Sequence, residues 1–243
     1  EPVIAALSRV HTVVDCTVEG MLHAPELKSI LAGGARLFMI SNEHPEVLER
    51  LQPDKSLRPA VDQARALLEG ARQMVVRSRA GTDLVIDVAN APVRGAAGYV
   101  DEPGKVGYWP GGLVLCFPKV GCVNGRIVLD EGDVNLTFKR YLADTVRLVV
   151  ENDYVTSIEG KGTDADMMRG YFAAWGDREA YAVSHVGWGM NPGARWDAMT
   201  FYDHRDFNGT ELRAFAGNFL YSTGANEVAG RHTAGHFDLP LRG

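Results

Sequence analysis

The length, composition and charge of this chain exclude several classes of protein at the outset. Its 243 residues are 46% hydrophobic, enough to bury the core of one large or two small domains. The net charge is only −6 and no block of basic residues occurs, which argues against a nucleic-acid partner. The sequence has neither an apolar run near the roughly 18 residues of a membrane span nor a signal-peptide pattern, so we expect no membrane partner.

The cysteines indicate a reducing compartment. Cys16, Cys116 and Cys122 are odd in number and form no C-x-x-C motif. This argues against a disulfide framework and predicts a cytoplasmic protein in which each cysteine is a small buried hydrophobe.

The first third of the chain alternates between predicted strands and helices. β-Branched residues predict strands at 10–17 and 35–41, separated by a loop and a short helix over 20–32. The clearest amphipathic helix covers residues 57–73. Strands that alternate with helices are typical of an α/β unit with a parallel sheet, so we predict an α/β domain over residues 1–75, part of a larger N-terminal domain.

From residue 76 the pattern changes to short strands joined by turns. Residues 74–78 and 83–88 predict a hairpin, 89–112 a Gly- and Pro-bearing loop, and 164–175 a helix. Further strands are predicted at 113–117, 123–129, 145–151, 154–159, 181–188 and 215–222. The predicted fold class is therefore mixed α/β, with a largely antiparallel second domain over residues 76–243. Because the chain opens at Glu1 without Met and stops soon after residue 238, we expect it to be truncated at both ends.

A His-x-Asp pair at His236 and Asp238 carries the strongest chemical signal. In a strand, side chains at i and i+2 point to the same face, so this imidazole and carboxylate are predicted to lie side by side. His185, about fifty residues upstream, supplies a second imidazole, and Gly187 and Gly189 beside it permit close backbone approach. Two imidazoles and one carboxylate form the facial triad of non-haem Fe(II) oxygenases, although zinc accepts the same ligand types.

An alternative ligand pair is His232 with His236, spaced i, i+4 as on a zinc-binding helix. The helix is disfavoured by Gly230 and Gly235, and Thr233 stands where an H-E-x-x-H motif needs Glu.

Two more polar residues have positions that suit a binding site. His23 lies in a loop between a predicted strand and helix, where α/β sheets bind ligands, and an imidazole there can serve as a general base or only as a structural group. Ser222, at the end of a predicted strand before Thr223 and Gly224, is either a hydrogen-bond donor to a ligand or an ordinary turn serine.

Four segments occur in the order found in one known family. They are MLHAPE (21–26), YWPGG (108–112), SHVGWGMNP (184–192), and the run from FLYSTG (219–224) to HFDLPLRG (236–243). With these segments the chain resembles, through most of its length, the 2,5-dihydroxypyridine 5,6-dioxygenases of bacterial nicotinic-acid and nicotine degradation. Those enzymes are fold-related to the metallo-aminopeptidases typified by aminopeptidase T.

The resemblance implies one Fe(II) per chain, bound by His185, His236 and Asp238. It implies ring cleavage of a small aromatic N-heterocycle, 2,5-dihydroxypyridine, by O2 to give N-formylmaleamic acid. We further expect a homo-oligomer.

By the same resemblance, Leu22, His23 and Ser222 face the substrate, with His23 as the acid/base. Apolar walls formed by Leu22, Trp109 and Trp188 would hold the flat ring and exclude water.

A metallo-aminopeptidase is the second interpretation, and it needs two metals and a water activated between them. The relatives of that class bridge their metals with extra carboxylates, whereas residues 110–114 supply none. Glu179 is either a residual second-site acid or a surface charge before a strand. A third interpretation is a binding domain that kept the fold without catalysis.

His23 yields a prediction from sequence alone. If it is the acid/base, His23→Ala should keep iron bound but lower kcat by roughly 10²–10⁴-fold, the usual contribution of positioned proton transfer. The acid limb of the pH–rate profile should change as well. His23→Gln, which can hydrogen-bond but not accept a proton at neutral pH, is the matched variant, and near-parental kcat with an unchanged pH profile would remove His23 from the catalytic residues.

Overall fold

The structure is a computed structural model that describes residues 2–18, 20–22 and 24–242. His23 lies outside the described residues, so the predictions made for it have no structural counterpart here.

Short helices are distributed along the chain. Within the described residues they are α1 (Pro2–Leu7), α2 (Leu27–Ala32), α3 (Pro45–Arg50), α4 (Leu57–Gly70), α5 (Thr163–Trp175) and α6 (Glu211–Ala214). α3 begins with proline at its first position, and the Nδ1 atom of His44 accepts the Glu46 amide at 3.3 Å as a cap. No helix within the described ranges combines the length and apolar character needed to cross a membrane.

Strands make up the larger part of the regular structure. They are β1 (Thr12–Asp15), β2 (Arg36–Met39), β3 (Gln73–Arg77), β4 (Asp83–Asp87), β5 (Val93–Ala96), β6 (Val106–Tyr108), β7 (Leu113–Cys116), β8 (Val123–Leu129), β9 (Val134–Asn135), β10 (Arg140–Tyr141), β11 (Val146–Glu151), β12 (Tyr154–Glu159), β13 (Val183–Gly189), β14 (Phe219–Thr223) and β15 (Phe237–Leu241).

The first compact unit comprises residues 1–61, 96–113 and 190–216. Its sheet has the order β1-β2-β6, and both pairings are parallel. The buried side chains around this sheet are those of Val13, Leu27, Ile30, Ala35, Leu37 and Met39. The predicted α/β unit with a parallel sheet is confirmed.

The second unit comprises residues 62–95, 114–189 and 217–243. It holds one sheet of order β12-β11-β8-β4-β3, all antiparallel, and another of order β15-β14-β13-β7-β5. β4 and β11 alternate between buried and more exposed residues, as expected for a sheet with one face in the core. The mixed α/β class with antiparallel pairing is therefore confirmed as well.

The two units do not follow the predicted division of the chain at residue 75. Residues 96–113 return to the first unit because β6 pairs with β2, and residues 190–216 also belong there. Both β5 and β6 fall inside the segment predicted as a loop, where they are only three or four residues long. The predicted strand at 215–222 is shorter than expected, since β14 begins at residue 219.

The two glycines of the YWPGG segment occupy positions that require glycine. Gly111 and Gly112 both have positive φ angles, +84° and +78°. A Cβ at residue 111 would lie 2.2 Å from the Gly98 nitrogen, and one at residue 112 would lie 2.6 Å from the Asn191 Cβ. Both positions therefore require glycine for conformation and for space.

The second unit contains a buried ion pair between Arg231 and Asp153, whose side chains are 4% and 0% exposed. Asp153 also accepts the amides of Gly121 at 2.6 Å and Val123 at 2.8 Å. Arg231 donates to the carbonyl of Val183 at 3.2 Å, at the start of β13. The pair thus ties the segment before β15 to the turn after β11 and to β13.

Asp153→Ala should lower the free energy of unfolding by about 3–5 kcal/mol, because it leaves the guanidinium of Arg231 buried without its carboxylate. Urea unfolding followed by circular dichroism measures the change. The matched control is Asp83→Ala, which breaks the exposed pair with Arg77 and should cost no more than about 1 kcal/mol. Equal effects of the two substitutions would contradict the importance of the buried pair.

Candidate metal centre

Three neighbouring strands bring the predicted site residues of the second unit together. In the register of β13, β14 and β15, His185 lies opposite Ser222, and Ser222 lies opposite Asp238. Directly opposed residues of adjacent strands point to the same face of a sheet. One row across the sheet therefore carries an imidazole, a hydroxyl and a carboxylate.

The two imidazoles approach the same carboxylate oxygen. Nε2 of His236 lies 3.3 Å from Oδ1 of Asp238, and Nε2 of His185 lies 3.7 Å from it. The two rings are 5.9 Å apart between centroids and inclined by 28°. The side chain of Asp238 is 5% exposed and that of His185 15%, whereas that of His236 is 47% exposed. The group is thus buried on one side and open beside His236.

This donor set fits a divalent metal ion in its chemistry. Metal bonds of about 2.0–2.2 Å place neighbouring ligand atoms roughly 3.0–3.5 Å apart, close to the two distances here. As the side chains stand, however, no three His, Cys, Asp or Glu residues of the described ranges enclose a ready-made ion position. The right donor atoms are thus present, and the exposed His236 ring is the one that can turn to enclose an ion.

Backbone contacts fix His236 although it precedes β15 rather than lying within it. Its carbonyl accepts hydrogen bonds from the hydroxyls of Thr137 and Tyr171, each at 3.1 Å. The next residue, Phe237, is fully buried, with its ring centroid 4.5 Å from that of Tyr171 and 4.7 Å from that of Phe172. Alternation along β15 then directs Asp238 away from this aromatic cluster.

Ser222 lies directly beside the Asp238 carboxylate. It is completely buried, and its hydroxyl donates to Oδ1 of Asp238. Since its one proton is used there, Ser222 acts on Asp238, and its predicted contact with a substrate stays a prediction. Its neighbour Tyr221 points to the opposite face, where burial and the Asp153 carboxylate raise the pKa of the phenol.

The two tryptophans predicted as substrate walls lie in different units of the structure. Trp188 is three residues from His185 along β13, so strand alternation puts it on the opposite face. In the first unit, Trp109 is only 2% exposed, and its indole N–H donates to the Leu51 carbonyl at 2.8 Å. The role of both indoles as substrate walls stays a prediction.

Leu22 lies in the loop that follows β1 in the first unit and is 37% exposed. Asp15, which the sequence analysis did not single out, shapes this loop. One carboxylate oxygen accepts the amide and hydroxyl of Thr17 at 3.0 and 2.6 Å, and the other accepts the amide of Met21 at 2.6 Å. The segment that presents Leu22 is therefore folded around a buried carboxylate.

The alternative ligands have other surroundings. Glu179 accepts the hydroxyl of Tyr154 at 3.0 Å and lies 3.5 Å from Nε of Arg231, which places it in the buried ion-pair cluster of the second unit. His232 is exposed and lies outside any helix, so the i, i+4 arrangement with His236 does not form.

Gly187, two residues after His185, is glycine for a steric reason. A Cβ at Gly187 would lie 1.9 Å from the carbonyl oxygen of Val114 in β7. Close backbone approach at this position, predicted from the SHVGWG segment, is therefore confirmed.

Comparisons with known proteins show the family. The family model described as "NicX: 2,5-dihydroxypyridine 5,6-dioxygenase" matches residues 1–243. A curated 2,5-dihydroxypyridine 5,6-dioxygenase of Pseudomonas putida KT2440 is 41% identical over 239 residues, which are 98% of this chain and 67% of that protein. This chain belongs to the 2,5-dihydroxypyridine 5,6-dioxygenase family. The resemblance inferred from the four sequence segments is thereby confirmed.

Solved structures agree with this membership. The 2,5-dihydroxypyridine dioxygenase of Pseudomonas putida KT2440 superposes with a TM-score of 0.91 at 39% identity, over 99% of this chain and 69% of that one. Wild-type AmpT from Thermus thermophilus gives a TM-score of 0.61 at 13% identity, over 97% and 72% of the two chains. The second likeness shows a shared fold alone, so the oxygenase interpretation stands over the hydrolase one.

Single substitutions should reveal which residues bind metal. His185→Ala, His236→Ala and Asp238→Ala should each abolish stoichiometric Fe(II) binding with little change in circular dichroism, because no remaining donor replaces the lost one. Metal analysis after anaerobic loading and desalting provides the measurement. His232→Ala is the matched control and should keep its metal, and full occupancy in any of the first three variants would refute the ligand assignment.

Proposed function

We propose that this chain is a mononuclear Fe(II) dioxygenase that opens 2,5-dihydroxypyridine between C5 and C6. One O2 adds to one substrate, so that both oxygen atoms appear in the product, N-formylmaleamic acid. The observation that carries the proposal is the approach of two imidazoles to one carboxylate oxygen, in a chain matched over its full length by the dioxygenase family.

The residues His185, His236 and Asp238 would hold the ion. Two neutral imidazoles and one carboxylate reduce the charge of a divalent ion from +2 to +1 and occupy three positions. When bound, ferrous iron supplies the remaining positions for O2 and an electron-rich hydroxypyridine, between which it can pass charge.

Each residue of the proposed site has a separate task. Asp238 supplies the anionic ligand, and the Ser222 hydroxyl holds its Oδ1 atom in place. On the family resemblance, His23 removes the proton of the substrate 5-hydroxyl, which raises the electron density of the ring. Leu22 supplies apolar contact to the same ring.

One metal rather than two is favoured by the distribution of carboxylates. Residues 110–114 contain none, and Glu179 is engaged with Tyr154 and Arg231. A bridged pair of metals needs additional carboxylates, and neither residues 110–114 nor Glu179 supplies one for this purpose. We also propose a cytoplasmic location, since Cys16, Cys116 and Cys122 are free thiols.

Anaerobic Fe(II) loading followed by O2-uptake measurements tests the reaction and the metal together. We expect one iron per chain and O2 consumption equal to the 2,5-dihydroxypyridine consumed, with little uptake on catechol and no hydrolysis of a leucine anilide. An anomalous-scattering map should show one strong peak beside His236. Two peaks within about 4 Å, accompanied by anilide hydrolysis, would establish the aminopeptidase instead. Absence of stoichiometric metal would indicate a binding domain.

A further inference from the structure

An irregularity in β13 lies directly beside the candidate metal centre. Val183 pairs with Thr223 and His185 pairs with Ser222, so Ser184 is an extra residue on its strand. This is a β-bulge, a device that changes the direction of a side chain and recurs next to active sites. In a regular strand consecutive side chains point to opposite faces, whereas here Oγ of Ser184 lies 3.1 Å from Nδ1 of its neighbour His185.

A second hydrogen bond of Ser184 shows which atom is the donor in its contact with His185. Its Oγ lies 2.6 Å from the carbonyl oxygen of Ala225. A carbonyl only accepts and a serine hydroxyl has one proton, so that proton is donated to Ala225. The Oγ atom is left to accept, and Nδ1 of His185 must be the donor in the 3.1 Å contact. A neutral imidazole with its proton on Nδ1 carries its lone pair on Nε2.

We propose that Ser184 is a positioning residue that holds His185 in the Nδ1–H tautomer, with the Nε2 lone pair available to a divalent cation beside Asp238. That Nε2 atom lies 3.7 Å from Oδ1 of Asp238. Both atoms carry lone pairs, so one cation can bind to the two at once. Hydrogen bonds of this outer kind orient metal-binding histidines and fix their tautomer. The cation's identity as Fe(II) rests on the proposed function, whereas the tautomer rests on the hydrogen-bond geometry.

A purely structural role for Ser184 predicts something different. Ser184 is 4% exposed, and its bond to Ala225 alone could account for a buried serine. In that case its removal would alter stability but leave the proton distribution of His185 unchanged. The tautomer itself therefore distinguishes the two roles.

Nitrogen-15 NMR of the metal-free protein tests the inference without any metal. At pH 8.5, above the range near 6.5 in which an unperturbed imidazole titrates, the parent should show His185 protonated on Nδ1. Ser184→Ala should shift His185 toward a mixture of tautomers, and Ser184→Thr, which keeps the hydroxyl, should restore the parental pattern. Ser157→Ala on β12 of the other sheet is the control and should change nothing. A parent with its proton on Nε2, or an unchanged spectrum in Ser184→Ala, would overturn the proposal.

Metal affinity provides the second measurement. Anaerobic titration with Co(II), followed by its visible absorption, should show binding weakened by about 10–100-fold in Ser184→Ala, with recovery in Ser184→Thr. Parental affinity in Ser184→Ala would contradict the inference. A parent chain that binds neither Co(II) nor Fe(II) would instead refute the proposed function, and the tautomer measurement would still decide the role of Ser184.

Discussion

The placement of one buried carboxylate, that of Asp238, governs the rest of the candidate centre. An ionised carboxylate removed from water is costly unless hydrogen bonds or a positive charge compensate it. Here the hydroxyl of Ser222 donates to Oδ1, and the Nε2 atoms of two imidazoles lie 3.3 and 3.7 Å from the same oxygen, where a cation held between them would supply the positive charge. The serine and the two imidazoles come from β14, β13 and the residue before β15, so the site exists only while those strands keep their register.

The second unit is built in a way that maintains this register. The ring of Phe237 packs among aromatic side chains on the face opposite Asp238, which anchors the start of β15. The buried pair of Arg231 and Asp153 joins the segment before β15 to the start of β13. Both ends of the ligand row are thus held by buried contacts, as a preorganised site requires.

The likeness to AmpT illustrates how the same fold can carry different chemistry. At a TM-score of 0.61 and 13% identity the two chains share an architecture, and architecture does not specify a reaction. In this chain the segment at residues 110–114 has two glycines whose backbone conformations and close neighbours leave no room for a side chain. Such a segment supplies backbone geometry rather than an extra metal-binding carboxylate.

Much of the architecture and the central chemical group could be predicted from sequence, because both depend on local patterns. The period of strand side chains placed His236 and Asp238 side by side, and helix and strand periodicity predicted an α/β unit followed by antiparallel strands. The family could be predicted from four short segments because all four occur in one specific order along the chain.

Only the tertiary structure decided how distant segments pair. The return of residues 96–113 to the first unit depends on β6 pairing with β2, which no local pattern encodes. The bulge at Ser184 is defined by its partner strand, and so is the row that joins His185 to Asp238. For the same reason the complete burial of Ser222 could not be read from the sequence, since a side chain's surroundings are set by the strands packed against it.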